Sequence, residues 1–247
     1  MALFQSIEKQ GNFLFKYRGQ FPILLFFLAI PFIYSTDYHL LNEKYNTFLL
    51  YISVALSIVG FLIRFYTIGT TTSGTSGRNT KKQIASILNT KGIYSIIRHP
   101  LYLGNYLIWL GIAVSTFNFC FIVIISFLFW LYYERIIFAE ERFLEKKFGN
   151  IYLNWSNSLP AFFPISFNFK KSDIPFSFVT VLRREYSGVL AAVIGFVFVE
   201  ILKNYFVYDA WIISSFSLYF LIIIFIVVFI LRSLKHYTNI LKEEGRS

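Results

Sequence analysis

Cysteine is all but missing from this chain. Among 247 residues only Cys120 is present, which excludes an internal disulfide and a cysteine-based metal cluster. Histidine is nearly as scarce. His39, His99 and His236 lie far apart, so no metal site is expected. Acidic residues are few, 13 against 23 Lys and Arg, and the net charge is +10. In so apolar a chain that excess points to inner-side loops and anionic headgroups rather than nucleic acid. A glycine-rich dinucleotide loop is absent as well. Gly69, Gly74 and Gly77 have neither the spacing nor the strand-to-helix context of one.

Apolar and aromatic residues are abundant: 56% of the chain is hydrophobic and 21% aromatic, with 31 Phe and 17 Tyr. Soluble domains do not carry such a composition. Several runs approach the ~20 residues that cross a bilayer as helix. The expected fold is therefore all-α: a polytopic membrane protein of about six transmembrane helices. The spans read as 21–36, 47–68, 101–117, 119–138, 187–202 and 211–231. Residues 1–20 read as an interfacial helix ahead of a retained anchor. The polar loop 69–91 begins Thr/Ser/Gly-rich and offers a short interfacial helix over 81–88. Residues 150–185 read as an aromatic, proline-bearing segment in the interface. Three units follow: 1–68 with the first two spans, 69–170 as the core, and 171–247 as a C-terminal hairpin and basic tail.

Charge placement supports this order. With the amino terminus inside, every Lys and Arg except Lys44, Lys203 and Arg64 falls on the inner side. That asymmetry predicts cytoplasmic N- and C-termini.

The chain is organised around 92–111, GIYSIIRHPLYLGNYLIWLG. Pro100 suits the first position of a helix, where its missing N–H is no loss, and His99 then occupies the N-cap. A helix start carries unpaired N–H groups and partial positive charge, which suit an anion. Arg98, His99, Tyr94 and Tyr102 converge there. Alone, His99 would read as a simple helix cap. The second constellation is 134–155, ERIIFAEERFLEKKFGNIYLNW. Glu140 and Glu141 point about 100° apart on a helix, so one can face inward and the other water. A hairpin of the third and fourth spans returns this helix toward His99.

Together these stretches, RHPLYLG and then EERFLEKKFGNIYLNW, resemble the isoprenylcysteine carboxyl methyltransferase-like and phospholipid methyltransferase family of integral membrane enzymes. The pattern is an RHPxYxG turn, a helical hairpin, a Glu-Glu pair, then FG, Tyr and an aromatic. LPAFFP at 159–164 fits the family's proline-bearing ending. The resemblance covers about 80–165, with no counterpart for the last two spans.

The resemblance implies an S-adenosylmethionine site open to the cytoplasm. Tyr94, His99, Pro100, Leu101, Tyr102 and Gly104 would line the cofactor. Residues 86–89, Asn89 among them, would touch it from the loop, and Glu140 would bind its adenosine part. Arg135 is the candidate for the acceptor's negative charge, with Arg98 and Arg64 also able to face the site. The acceptor is expected to be an amphiphilic lipid, a lipid phosphate first, of the lipid A phosphate methyltransferase-like kind. Isoprenylcysteine carboxyl methylation and phospholipid N-methylation are alternatives. An NADPH-dependent membrane sterol reductase carries a similar turn, but with Asn after the Pro and an acid after the Gly, where Leu101 and Asn105 stand here. A transporter or scaffold is the non-enzymatic alternative, and polar groups at one membrane face rather than mid-bilayer speak against a transporter. The short loops suggest a bacterial inner membrane. Oligomeric state is not readable.

Overall fold

Why these residues form these helices is plainest where they start and stop. The computed structural model describes residues 2–38, 43–72, 74–75, 83–164 and 168–246. Eight α-helices appear among them: α1 (Leu3–Lys16), α2 (Phe21–Tyr34), α3 (Glu43–Gly69), α4 (Pro100–Val114), α5 (Phe119–Phe148), α6 (Asn150–Ser156), α7 (Phe178–Tyr208) and α8 (Ser215–Tyr237). No strand occurs among the described residues; one isolated bridge pairs Gly92 with Lys170.

Pro100 does open α4, with His99 as its N-cap. Asn118 caps α5 by accepting from the Phe121 N–H at 2.9 Å, and its amide donates to the Phe32 carbonyl and the Thr36 hydroxyl. That cap makes the tight turn between α4 and α5 and ties it to the end of α2. Gly149 ends α5 at φ +54°, ψ −130°, a backbone that glycine alone adopts without strain. The chain reverses there, and α6 folds back toward the start of α4.

α3, α5, α7 and α8 are long and apolar enough to cross a membrane. α2 and α4 are apolar but shorter, at 14 and 15 residues. The six apolar helices are those expected, with shifted ends. α7 starts at Phe178, nine residues before the expected 187, because Ser177 caps it by accepting from the Thr180 N–H. The polar run Arg183, Arg184, Glu185, expected to close the interfacial segment 150–185, is helix. Residues 83–88, expected to be helical, are irregular. Lys81 and Lys82, from the same expected helix, lie outside the described residues.

With lipid outside the bundle, packing rather than water exclusion drives helix association, and small residues let backbones approach. The seam between α3 and α4 is built this way. A Cβ at Gly60 would lie 2.6 Å from the Gly104 carbonyl, and one at Gly111 would lie 2.3 Å from the Ser53 carbonyl. Ser57 closes the seam by donating to the Ile108 carbonyl at 3.1 Å. On the other side of α4, Ile108, Ile112 and Ala113 pack with Ala29 and Ile33 of α2, Phe121 and Ile125 of α5, and Ala192, Val199 and Leu202 of α7. α7 is thus part of the central bundle, while α8 buries no residue.

α1 lies along α5. A Cβ at Gly11 would clash with the Arg135 carbonyl at 2.0 Å, and Phe15 packs with Phe129, Tyr133 and Ile136. Lys146 of α5 pairs with Glu8 of α1 at 2.7 Å.

Candidate active site

Four helix ends meet at one end of the bundle: the close of α3, the start of α4, the late part of α5 and the start of α7. The irregular segment after α6 locks the RHP turn from outside. The Arg98 and His99 N–H groups donate to the Pro160 and Ala161 carbonyls at 3.0 Å each. This gives the LPAFFP stretch a physical task, since those two N–H groups precede a helix and have no partner within it.

The turn does hold an anion, and the anion is Glu141. His99 Nε2 lies 2.8 Å from Glu141 Oε1, and Arg98 Nε lies 3.3 Å from the same oxygen. His99 is buried at 7% exposure. Glu140, 100° round the helix, takes the other role foreseen for the pair. Its Oε2 accepts from the Tyr102 hydroxyl at 2.8 Å and lies 3.9 Å from His99 Nδ1. The His99 and Tyr102 rings stack at 5.7 Å. About a third of the Glu140 side chain remains exposed.

Tyr94 sits in a short 3-10 turn, Ile93–Ser95. Its carbonyl accepts from Trp155 Nε1 at 3.1 Å, and its hydroxyl lies beside the Asn89 side chain. Burial pushes the Tyr94 phenol well above its ordinary range, and Glu140 adds to the shift against Arg184 and Arg64. Tyr94 therefore stays neutral, within electrostatic reach of three charged groups. Burial likewise raises the phenol of Tyr152 on α6, with Glu141 adding and Arg98 opposing.

Pro100 is fully buried, and the Leu101 carbonyl accepts from Arg64 Nη1 at 3.4 Å. Gly104 faces the α3 seam: a Cβ there would lie 2.5 Å from Arg64 Cγ and 2.8 Å from the Gly60 carbonyl. Arg135 is directed elsewhere. Its Nε donates to Gln10 of α1 at 3.0 Å and its Nη1 to the Leu131 carbonyl. Its carboxylate neighbour is Glu134, at 3.7 Å. The structure thus brings Tyr94, Asn89, Arg98, His99, Pro100, Tyr102 and Glu140 together with Glu141, and gives Arg135 to the α1–α5 contact.

Two site residues escaped the sequence reading. Tyr133 accepts from Asn105 Nδ2 at 2.9 Å and packs its ring 4.7 Å from Tyr102. Glu185 of α7 takes Arg64 in a two-pronged pair, Nε and Nη2 each at 2.7 Å. A carboxylate among arginines at the edge of an apolar run was the available signal for Glu185.

The donor set suits S-adenosylmethionine. Glu140 offers a partly exposed carboxylate to ribose hydroxyls or an amine, and two aromatic faces lie beside it. Arg98 Nε, already 3.3 Å from Glu141, adds fixed positive charge to the turn. Among the described residues no group of three His, Cys, Asp or Glu is placed to hold a metal ion.

Residues 47–151 match the phospholipid methyltransferase family model. The chain is 31% identical over 85 residues to a protein-S-isoprenylcysteine O-methyltransferase of Schizosaccharomyces pombe, covering 34% of this chain and 36% of that protein. It is 38% identical over 77 residues to the cobalt-zinc-cadmium resistance protein CzcN of Cupriavidus metallidurans, covering 31% and 35%. It is 32% identical over 117 residues to the nickel-cobalt-cadmium resistance protein NccN of Alcaligenes xylosoxydans xylosoxydans, covering 46% and 52%. The chain thus spans about a third to a half of the length of these relatives. No solved structure matches it.

Proposed function

We propose that this integral membrane protein, whose residues 47–151 match the phospholipid methyltransferase family model, is an S-adenosylmethionine-dependent O-methyltransferase. The observation that carries the reading is the joined pair of contacts His99–Glu141 and Tyr102–Glu140 at the start of α4. Each carboxylate is held by a residue of the turn, and each keeps part of its surface exposed, 25% for Glu141 and 31% for Glu140. S-adenosylmethionine supplies a methyl group on a cationic sulfur. Tyr94, Asn89, His99, Leu101 and Tyr102 would line it, with the fully buried Pro100 fixing the turn behind them, and Glu140 would accept from its hydroxyls or amine. Gly104 would contribute by letting Arg64 approach.

The acceptor in this reading is an anionic oxygen on an amphiphile that arrives from the bilayer. Such an oxygen is already deprotonated, so no side chain has to remove a proton. The chain's task is to align two reactants and exclude water, which accounts for very large effective molarities in other systems. Arg98 is the cation of the RHP turn itself and would steady the acceptor. Arg135 would act at most from outside, by meeting the acceptor on the α1 side. Sequence alone put a lipid phosphate first. The relatives named as isoprenylcysteine O-methyltransferases move a carboxylate on a lipidated thioether ahead of it. Positive charge at the site end favours placing that end in the cytoplasm, in a bacterial inner membrane if the source is bacterial.

The test is incubation of membranes containing the protein with radiolabelled S-adenosylmethionine, followed by separate lipid and protein extraction. Base-labile label on a prenylcysteine acceptor, lost with His99→Ala and Glu140→Ala, is expected. Label in a phospholipid band would restore the lipid acceptor. Absence of both label and S-adenosylmethionine binding would refute the methyltransferase reading.

A further inference from the structure

α7 lies outside the matched segment, yet it delivers the most deeply buried carboxylate of the site end. The Glu185 side chain is 2% exposed and that of Arg64 is 15%. The carboxylate takes two of the guanidinium's three nitrogens. The third, Nη1, donates to the Asn105 side chain and to the Leu101 carbonyl. A fork filled on both prongs has its plane fixed, which a single charge contact would not achieve.

What Arg64 touches gives this its meaning. Leu101 belongs to the first turn of α4, immediately after the RHP turn. Asn105 passes the contact to Tyr133 at 2.9 Å, and the Tyr133 ring packs on Tyr102, whose hydroxyl holds Glu140. Polar contacts and ring packing therefore run without a gap from Glu185 to the carboxylate proposed to bind the cofactor. On α4, Arg64 meets an amide and a carbonyl, and its neutralising charge comes from α7. Nor is α7 loosely placed. Ala192, Val199 and Leu202 sit in the central core, and a Cβ at Gly195 would lie 2.8 Å from Ile112 of α4.

Resting on the methyltransferase reading above, we propose that Glu185 is a positioning residue for methyl transfer. By fixing Arg64 against Asn105 and the Leu101 carbonyl, it holds the start of α4 and the Tyr102–Glu140 pair in the geometry that receives S-adenosylmethionine. α7 is then part of the catalytic unit and not an appended anchor. A pair that merely stabilised the bundle would behave differently, because buried ion pairs can often be exchanged for well-packed apolar residues without loss of stability.

The full chain in lipid nanodiscs distinguishes the two. Equilibrium binding of radiolabelled S-adenosylmethionine and thermal unfolding are measured for the wild type, Glu185→Gln, Glu185→Asp and the double variant Arg64→Met/Glu185→Met. Glu185→Gln is expected to weaken binding by about tenfold or more, as a small misplacement of binding groups does, and Glu185→Asp to recover part of it. The double variant is expected to unfold near the wild-type temperature and still bind weakly. Wild-type binding by the double variant would overturn the proposal, as would unchanged binding by Glu185→Gln. Should Glu185→Gln fail to fold, the double variant alone decides. A wild type that binds no S-adenosylmethionine refutes the methyltransferase reading itself, which is a separate result.

Discussion

Replacing Gly104 by alanine tests what that glycine is for. In the resemblance it belongs to the cofactor wall; in the structure its missing side chain is occupied by α3. The new Cβ would meet Arg64 Cγ at 2.5 Å, Arg64 Cδ at 3.3 Å and the Gly60 carbonyl at 2.8 Å. Ordinary carbon contacts lie at roughly 3.5–4.0 Å, so Arg64 Cγ must retreat by about 1 Å. Its guanidinium is held by two 2.7 Å bonds to Glu185. Lengthening either by about 1 Å takes it past the limit of a hydrogen bond. The Gly60 carbonyl is backbone and cannot move without α3. Overpacking of this kind costs about 1–3 kcal/mol, and the tethered arginine puts Gly104→Ala toward the top of that range. For a chain of this size that corresponds to a fall of roughly 5–10 °C in unfolding midpoint, by analogy with soluble domains. The assay is tryptophan-fluorescence melting in nanodiscs beside S-adenosylmethionine binding. Both should decline together. A variant that melts like the wild type yet loses binding would refute the reasoning and return Gly104 to the ligand.

Other expectations follow from the same contacts. Glu141→Gln removes the anion shared by His99 and Arg98 and should lower kcat/KM by about 10–100-fold, the effect of leaving buried charged groups with 1.5–3 kcal/mol less hydrogen bonding; turnover assays at saturating and limiting S-adenosylmethionine check it. Arg135→Ala should stay within about twofold of wild-type turnover and cost no more than about 1 kcal/mol, as for exposed pairs, whereas Arg98→Ala should abolish most turnover. The opposite ranking would return Arg135 to the acceptor. At the carboxyl end, hydrogen bonds from Ser177 and Thr180, with help from Arg246, hold the Glu243 carboxyl below its usual range. A depressed folded-state value means stability present above the ordinary glutamate value of about 4.3 and lost as pH falls toward the folded value. Tail proteolysis should therefore accelerate below about pH 4.3 in the wild type and depend less on pH in Glu243→Gln.

Sequence reasoning reached the parts of the site whose chemistry is local. Pro100 and His99 announce a helix start by themselves, and Glu140 with Glu141 announce two faces of one helix. Asn118 and Gly149 likewise mark chain reversals that the structure contains. Contacts between distant helices were not available to such reasoning. Gly104 reads as part of RHPLYLG, and only the closeness of α3 shows what fills its missing side chain. Arg64 read as able to face the site, and only the start of α7 shows that Glu185 receives it. The start of α7 itself was misplaced because Arg183, Arg184 and Glu185 are as polar as a loop. Their helical state is set by the Ser177 cap and by burial of Thr180, Arg184 and Glu185, a tertiary fact. Arg135 was chosen for its place in the motif, while its direction depends on where α1 lies.

The shortness of α2 and α4 has a mechanical consequence for the membrane itself. At 1.5 Å per residue they reach roughly 21 and 22 Å, whereas the hydrocarbon layer is about 30 Å thick. Either the surrounding lipid thins to meet them, or the start of α4 lies several ångströms beneath headgroup level. In the first case bilayer thickness sets the strain on the lipid around the His99 turn, and in the second it sets the depth of that turn below the lipid surface. Acyl-chain length then becomes a variable of the proposed reaction: hydrophobic mismatch would couple the host membrane to how far the polar end of the proposed amphiphilic acceptor must travel.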